Sequence, residues 1–157
     1  MKLFLNVELF QKKKIRFAED IGWKQHCMDM LEDLNQSEDA GPFRQPVTKK
    51  EAPDYRLYIE HPMDLRTVRE QLIFGHYATP IDFAKDVRLI FENSKIYNTD
   101  RRWKIFGQTD RLSELFEKQF KIFSTSYNQN LIKSSKSRNK EDTSKCKVNN
   151  QIFTFMK

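Results

Sequence analysis

Four of the five prolines lie within one stretch, residues 36–62, and this distribution constrains the fold more than any other sequence feature. Proline interrupts helices and central strands, so no long regular element runs through the stretch. Loops of this length are uncommon in compact domains and are usually functional or disordered. Phe43, Val47, Tyr55 and Ile59 make the stretch too apolar for a disordered linker. We therefore predict an ordered loop that packs and shapes a surface.

The pattern of apolar residues predicts one amphipathic helix before this loop and another directly after it. The first helix begins at Trp23 and keeps apolar side chains at helical spacing as far as Leu34. The second helix begins near Asp64, a suitable N-cap, and stops at Gly75. Polar residues occupy the other side of the first helix, which is typical of a helix that buries one face.

Two longer helices complete the pattern. The third has the clearest start, because Thr79 can cap it and Pro80 occupies its first helical position. Its apolar stripe continues to Tyr97, and after a short break a fourth helical period runs from Ile105 to Phe123. Short connections make consecutive helices antiparallel neighbours. The sequence therefore predicts an all-α four-helix bundle with a long ordered loop between the first and second helices.

The net charge is distributed unevenly along the chain. The formal total is +6, with +2 on residues 1–22, −1 on residues 23–123 and +5 on residues 124–157. A near-neutral central segment argues against a large phosphate-binding surface on the folded unit. The polar tail cannot bury enough apolar surface to offset the entropy of ordering, so we expect disorder there. The predicted organisation is an N-terminal flank (1–22), a helical bundle (23–123) and a basic disordered tail (124–157).

Catalytic and metal-binding motifs have little support in the sequence. His26 and Cys27 are adjacent on a helix and point to different faces, so they cannot form a catalytic pair. His61 and His76 lack cysteine or carboxylate partners at metal-ligand spacing. The two cysteines lie far apart and favour a reducing compartment, and no run approaches the roughly 20 apolar residues that span a bilayer. We predict a binding module and no enzyme, without a cofactor, a metal or a membrane partner.

The pair Tyr97-Asn98 is the strongest candidate for a ligand-binding site. It places a side-chain amide at the end of the third helix, where the amide can face a pocket formed by the long loop. Such an amide donates a hydrogen bond without carrying charge, which suits a neutral amide ligand. Considered alone, an asparagine at this position is more often a helix-terminal residue in a left-handed conformation. The functional interpretation therefore depends on its combination with other residues.

Five landmarks follow one another along the chain: Pro42-Phe43, Pro46-Val47, Pro53-Asp54-Tyr55, Pro62-Met63-Asp64-Leu65 and Tyr97-Asn98. Their order and spacing resemble those of the bromodomain family between about Trp23 and Phe123. Within that family, residues 37–47 of the loop together with residues 86–91 are most similar to the second bromodomain of the WD-repeat bromodomain proteins, the group that includes pleckstrin-homology-domain-interacting protein. The resemblance implies a left-handed four-helix bundle and a nuclear, chromatin-associated protein of which this chain is a fragment or short isoform.

The resemblance also implies a pocket for acetyl-lysine, and acetylated histone tails as the partners of a monomeric reader. Asn98 is expected to donate to the acetyl carbonyl, and Tyr55 to reach the same oxygen through an ordered water. Most bromodomains carry Trp before the Pro-Phe pair, whereas this chain has Gly41, so one wall of the channel should be thinner. The other expected wall residues are Pro42, Phe43, Val47, Tyr97 and Ile105. Met63 and Leu65 are assigned to the core.

Two other hypotheses compete with the reader. In the first, the chain is a nucleic-acid-associated protein whose basic tail binds and whose bundle serves as a scaffold, which predicts steep salt dependence. The two roles are compatible, because a chromatin reader gains from nonspecific DNA contact. In the second, the bundle is a degenerate module with a shallow pocket that binds no acetyl-lysine and serves as a protein-interaction surface. Gly41 is the reason to retain this last hypothesis.

Overall fold

The computed structural model describes the backbone of residues 22–154 and the side chains of residues 22–133. Throughout this part of the chain the regular elements are helical, which confirms the predicted all-α class. Residues 1–21 of the predicted flank lie outside the described residues. In chain order the elements are α1 (residues 22–36), a 3₁₀ helix (Glu38–Phe43), α2 (Tyr55–Tyr58), α3 (Leu65–Ile73), α4 (Pro80–Tyr97) and α5 (Lys104–Thr154).

Side-chain caps define where α3 and α4 begin, as the sequence predicts. Asp64 Oδ1 accepts a hydrogen bond from the Thr67 backbone N–H at 3.0 Å. Thr79 and Asp82 form a reciprocal capping box at the start of α4, with N–O distances of 3.2 and 3.3 Å. Gly75 follows α3 with a φ of 74°, a conformation that favours glycine. Caps of this kind typically stabilise a helix by about 1 kcal/mol each.

The long loop is ordered by polar contacts at its start. The Arg111 guanidinium of α5 donates to both carboxylate oxygens of Asp39, at 2.8 and 2.7 Å. Arg44 donates to the backbone carbonyls of Asn35 and Ser37, at the C-terminal end of α1. Bidentate contacts of this kind fix orientation as well as distance. They hold the loop against α1 and α5, which confirms the predicted ordered loop.

One apolar core joins the four long helices. Its centre includes Phe83, whose ring lies edge-on to Tyr77 and Phe116 at centroid distances of 5.9 and 6.2 Å. Each helix contributes side chains that are almost completely buried, so all four share one interior and form the predicted bundle. These side chains include Leu31 and Leu34 of α1, Leu65 and Val68 of α3, Phe83 and Val87 of α4, and Leu112 and Phe116 of α5.

The end of the last helix differs from the prediction. The sequence analysis expects disorder from residue 124, whereas the backbone of α5 remains helical to Thr154. Neither glycine nor proline follows Gly107 in the sequence, so no residue with a strong helix-breaking tendency ends α5. The chain divides into two compact units between Lys121 and Ile122. The functional separation of a bundle and a tail stays a prediction.

Candidate functional site

A cavity of about 390 Å³ lies between the long loop, the C-terminal end of α4 and the first turn of α5. Its volume is within the usual range for small-ligand sites, roughly 300–1,000 Å³. The structure brings all seven predicted site residues together around it, although their roles in binding stay predictions. They are Pro42, Phe43, Val47, Tyr55, Tyr97, Asn98 and Ile105.

The loop supplies one wall of the cavity. Phe43 is buried, and its ring lies edge-on to Phe91 of α4 at 6.2 Å, so the core anchors this part of the wall. Pro42 and Val47 are exposed and lie where an entering ligand can cover them. A Cβ atom at Gly41 would meet no heavy atom within 4 Å. Space is therefore open beside Gly41, and a thinner channel wall there stays a prediction.

Tyr55 of α2 and Tyr97 of α4 line the cavity, and Tyr58 packs against Tyr97 without lining it. The Tyr97 ring lies edge-on to Tyr55 and Tyr58, at centroid distances of 5.0 and 6.1 Å. Its hydroxyl donates to Asp54 Oδ1 at 2.7 Å, and this hydrogen bond raises the pKa of Tyr97. Burial raises the pKa of Tyr55, which also lines the cavity. Its hydroxyl is therefore protonated at neutral pH and able to donate a hydrogen bond.

Asn98 caps the C-terminal end of α4 and is one of the residues that line the cavity. Its φ of −99° is not left-handed, so backbone conformation does not explain an asparagine here. The side-chain Nδ2 donates to the Ser94 carbonyl oxygen at 3.0 Å and lies 3.4 Å from Ser94 Oγ. Both contacts can share one hydrogen of the amide nitrogen as a bifurcated bond, and the second hydrogen then remains for a ligand. The site thus offers an uncharged donor beside largely apolar walls.

Comparison with known proteins identifies the family. The Bromodomain family model matches residues 27–104, which include the long loop, α3, α4 and the start of α5. Residues 27–104 belong to the bromodomain family. Bromodomains are reader modules and not enzymes. The match leaves open the subfamily, and kinship with the WD-repeat group is not shown.

Several relatives share this bromodomain segment. Bromodomain adjacent to zinc finger domain protein 2A of Xenopus laevis is 42% identical over 74 residues, which cover 47% of this chain and 4% of that protein. Transcription factor GTE10 of Arabidopsis thaliana is 47% identical over 74 residues, which cover 46% of this chain and 7% of that protein. Bromodomain adjacent to zinc finger domain protein 2 of Caenorhabditis elegans is 35% identical over 108 residues, covering 69% and 8%. The chain therefore spans less than a tenth of the length of these three relatives.

The bromodomain cavity includes residues that the sequence analysis did not predict. Met63 was assigned to the core, but it is only half-buried and lines the cavity, so that assignment is wrong. Leu65, assigned to the core with it, is buried as predicted. Ser94 also lines the cavity and was given no role in the predicted site, although its spacing of four residues from Asn98 places both on one helix face. Further lining residues are Gly41, Gln45, Pro46, Glu51, Ala52, Asp64 and Ile90.

The described part of the bromodomain offers little support for a reactive nucleophile or a metal site. Burial raises the pKa of Cys27 to about 12, so its thiol stays protonated and unreactive at neutral pH. Between residues 22 and 133, no three His, Cys, Asp or Glu side chains form a group that could hold a metal ion. In the same range, no helix combines the length and the apolar character that crossing a membrane requires.

Proposed function

We propose that this bromodomain is a reader that binds acetyl-lysine in acetylated histone tails. The observation that carries the proposal is the position of Asn98, which lines a loop-walled cavity and carries an uncharged amide donor. An acetylated lysine has lost its charge, so its neutral amide enters such a cavity at a low cost if the carbonyl finds a donor. An unmodified ammonium would lose its hydration, and the two lining carboxylates, Glu51 and Asp64, already accept hydrogen bonds from Thr48 and Thr67.

Tyr55 is proposed to reach the acetyl carbonyl through an ordered water. Its hydroxyl is protonated at neutral pH, as in any tyrosine, and burial raises its pKa further. A bridging water is nearly as favourable in enthalpy as a direct hydrogen bond. Asn98 would then supply the direct contact, and Tyr55 would complete the hydrogen bonding of the same oxygen.

The apolar walls are proposed to hold the aliphatic part of the acetylated side chain. Pro42, Val47 and Ile105 would cover its methylene groups and acetyl methyl, while Phe43 supports the floor from the core. Gly41 contributes no side chain, so the peptide is less enclosed on that side. We therefore expect modest affinity for one acetyl-lysine.

We place the whole protein in the nucleus, on chromatin. Support comes from relatives such as GTE10 and GTE11 of Arabidopsis thaliana, which are named transcription factors. We also propose that the protein is a monomer of the WD-repeat bromodomain group and that its parent chain is longer, since the chain spans less than a tenth of its relatives' length.

The proposal is tested by titrating the full chain with acetylated and unmodified histone-tail peptides of the same sequence. Isothermal titration calorimetry is expected to show that the acetylated peptide binds at least about tenfold more tightly, because excluding an unpaired ammonium costs more than about 1.4 kcal/mol. The unmodified peptide controls for contacts made by flanking residues. Equal affinities for the two peptides would contradict the proposal.

We further propose that the basic tail makes nonspecific DNA contacts, since residues 124–157 carry +5 of the net charge of +6. Replacing Lys133, Lys136, Arg138 and Lys140 with glutamine keeps good helix formers while removing four charges. The logarithm of the DNA-binding constant decreases linearly with the logarithm of the salt concentration. The magnitude of this slope should be smaller by about 0.9 for every phosphate that is no longer neutralised. Fluorescence anisotropy with duplex DNA over a salt series measures this slope, and an unchanged slope would exclude the tail. The variant should retain its preference for acetylated peptide.

A further inference from the structure

Two buried hydroxyl groups connect the end of α4 to the first turns of α5. Ser94 is 6% exposed and Thr109 is 1% exposed, and their hydroxyl oxygens lie 2.7 Å apart. Thr109 Oγ1 also lies 2.7 Å from the backbone carbonyl of Ile105, a cavity-wall residue. On the other side, the Asn98 amide reaches the carbonyl and the hydroxyl of Ser94.

The Ile105 carbonyl oxygen, the last acceptor in this series of hydrogen bonds, determines their direction. A carbonyl oxygen only accepts, so the single Thr109 hydroxyl proton is donated to Ile105. Ser94 must therefore donate its own hydroxyl proton to Thr109 Oγ1. The Ser94 oxygen is then left as an acceptor toward Asn98 Nδ2. The Ser94 and Thr109 hydroxyls thus donate to one acceptor each, and Nδ2 of Asn98, a cavity-lining residue, donates to both oxygens of Ser94.

We infer that Thr109, which does not line the cavity, is a positioning residue that orients the Asn98 amide for ligand binding. This inference rests on the proposed function. Turning the amide over would place Asn98 Oδ1 against the Ser94 carbonyl, two acceptors facing each other. Thr109 strengthens this preference because it receives the Ser94 proton and keeps the Ser94 lone pair directed at Nδ2. The same chain holds the Ile105 wall and the Asn98 donor in one hydrogen-bonded unit.

Without the Thr109 hydroxyl, the Ser94 hydroxyl can donate to another acceptor on its own helix. Serine hydroxyls in helices often donate to the carbonyl four residues earlier, which here is Ile90. That rotation would remove the Ser94 lone pair from Asn98. The amide would then be held by the Ser94 carbonyl alone, and more of its orientational freedom would have to be lost on binding.

The test uses the full chain with Thr109→Val, which keeps the side-chain volume, and Thr109→Ser, which restores the hydroxyl. Thr109→Val is expected to weaken acetylated-peptide binding by roughly fivefold, the equivalent of about one neutral hydrogen bond. Thr109→Ser should remain within about twofold of the parent chain, because it removes only the small dispersion attraction of one methyl group. Circular dichroism and thermal unfolding confirm that each variant is folded, and Thr109→Ala replaces the valine variant if that one does not fold.

A double-mutant cycle distinguishes positioning from a general structural role. If Thr109 acts through Asn98, Thr109→Val should have no further effect on peptide affinity in an Asn98→Ala background. An equal loss in both backgrounds would overturn the inference. A second readout needs no ligand: the side-chain amide protons of Asn98 should exchange faster in Thr109→Val in ¹⁵N-edited spectra, and unchanged exchange would also overturn it.

The outcome is separable from that of the proposed function. If the parent chain does not distinguish acetylated from unmodified peptide, the reader function fails, whatever the amide exchange shows. If the parent chain distinguishes the peptides but Thr109→Val matches it in affinity and amide exchange, only the positioning role fails.

Discussion

Replacing Asn98 with alanine is expected to abolish the preference for acetylated peptide. The variant removes the uncharged donor that lines the cavity, so the acetyl carbonyl is buried without a direct partner. An unsatisfied buried acceptor costs about 1–3 kcal/mol, which weakens binding by roughly 5- to 150-fold. Calorimetric titration of both peptides into Asn98→Ala measures the change, and only the acetylated peptide should lose affinity.

Asn98→Asp is a sharper version of the same experiment. Aspartate has nearly the shape of asparagine, but at neutral pH it accepts hydrogen bonds and donates none. The carboxylate would face the Ser94 carbonyl and repel the acetyl oxygen, while attracting an unmodified ammonium. The preference is therefore expected to invert, with the unmodified peptide binding better than the acetylated one. If Asn98→Asp bound both peptides with the affinities of the parent chain, Asn98 would not contact the acetyl group.

Asn93 provides a matched control on the same helix. Its buried amide donates to the His61 carbonyl at 2.8 Å, and it does not line the cavity. Asn93→Ala is therefore expected to lower the free energy of unfolding by about 1 kcal/mol, because this hydrogen bond is removed. It should leave the ratio of the two peptide affinities unchanged. If Asn93→Ala bound the two peptides with equal affinity, the effect of Asn98→Ala could be attributed to a disturbed fold and not to the loss of a ligand contact.

The helix boundaries were predictable because their signals are local. Thr79 and Asp82 are three residues apart, and their capping box forms whatever the rest of the chain does. Gly75 ends α3 through its own conformational freedom. The tail is the exception, since composition predicts disorder while the absence of a helix breaker lets α5 continue to Thr154.

The contacts that position the loop and the site amide were not predictable in the same way. Arg111 and Asp39 lie 72 residues apart, and either could have met another charged side chain. Ser94 and Thr109 meet only because α4 and α5 cross at one register, 15 residues apart in sequence. Propensity and periodicity identify which face of a helix is buried, but they do not determine which residues of two buried faces touch.

Most of the candidate site came from the order of motifs along the chain. The residues Pro42, Asn98 and Tyr55 were grouped by the family resemblance, and the structure places them around one cavity. Met63 was missed because an apolar residue beside a helix start is normally buried. Its half-exposed position arises from the opening under the loop, and the sequence carries no signal for such an opening.

Phe83→Ala is expected to cause the largest loss of stability among single substitutions in the bundle core. The side chain is fully buried and its ring contacts the rings of Tyr77 and Phe116. Such a truncation costs about 3–5 kcal/mol, from the lost burial and the cavity that remains. Since small domains are stable by only about 5–15 kcal/mol, the variant should lose a large part of its stability. Urea denaturation followed by circular dichroism measures the difference.

Phe74→Ala is the matched control, because Phe74 is 74% exposed at the end of α3. The same atoms are removed without leaving an internal cavity, so the free energy of unfolding should change by no more than about 0.5 kcal/mol. Similar losses in both variants would contradict the placement of Phe83 at the core. Since Phe83 does not line the cavity, the folded fraction of Phe83→Ala should keep the acetyl preference. Its apparent affinities for both peptides should fall together with that fraction, unlike the selective loss expected for Asn98→Ala.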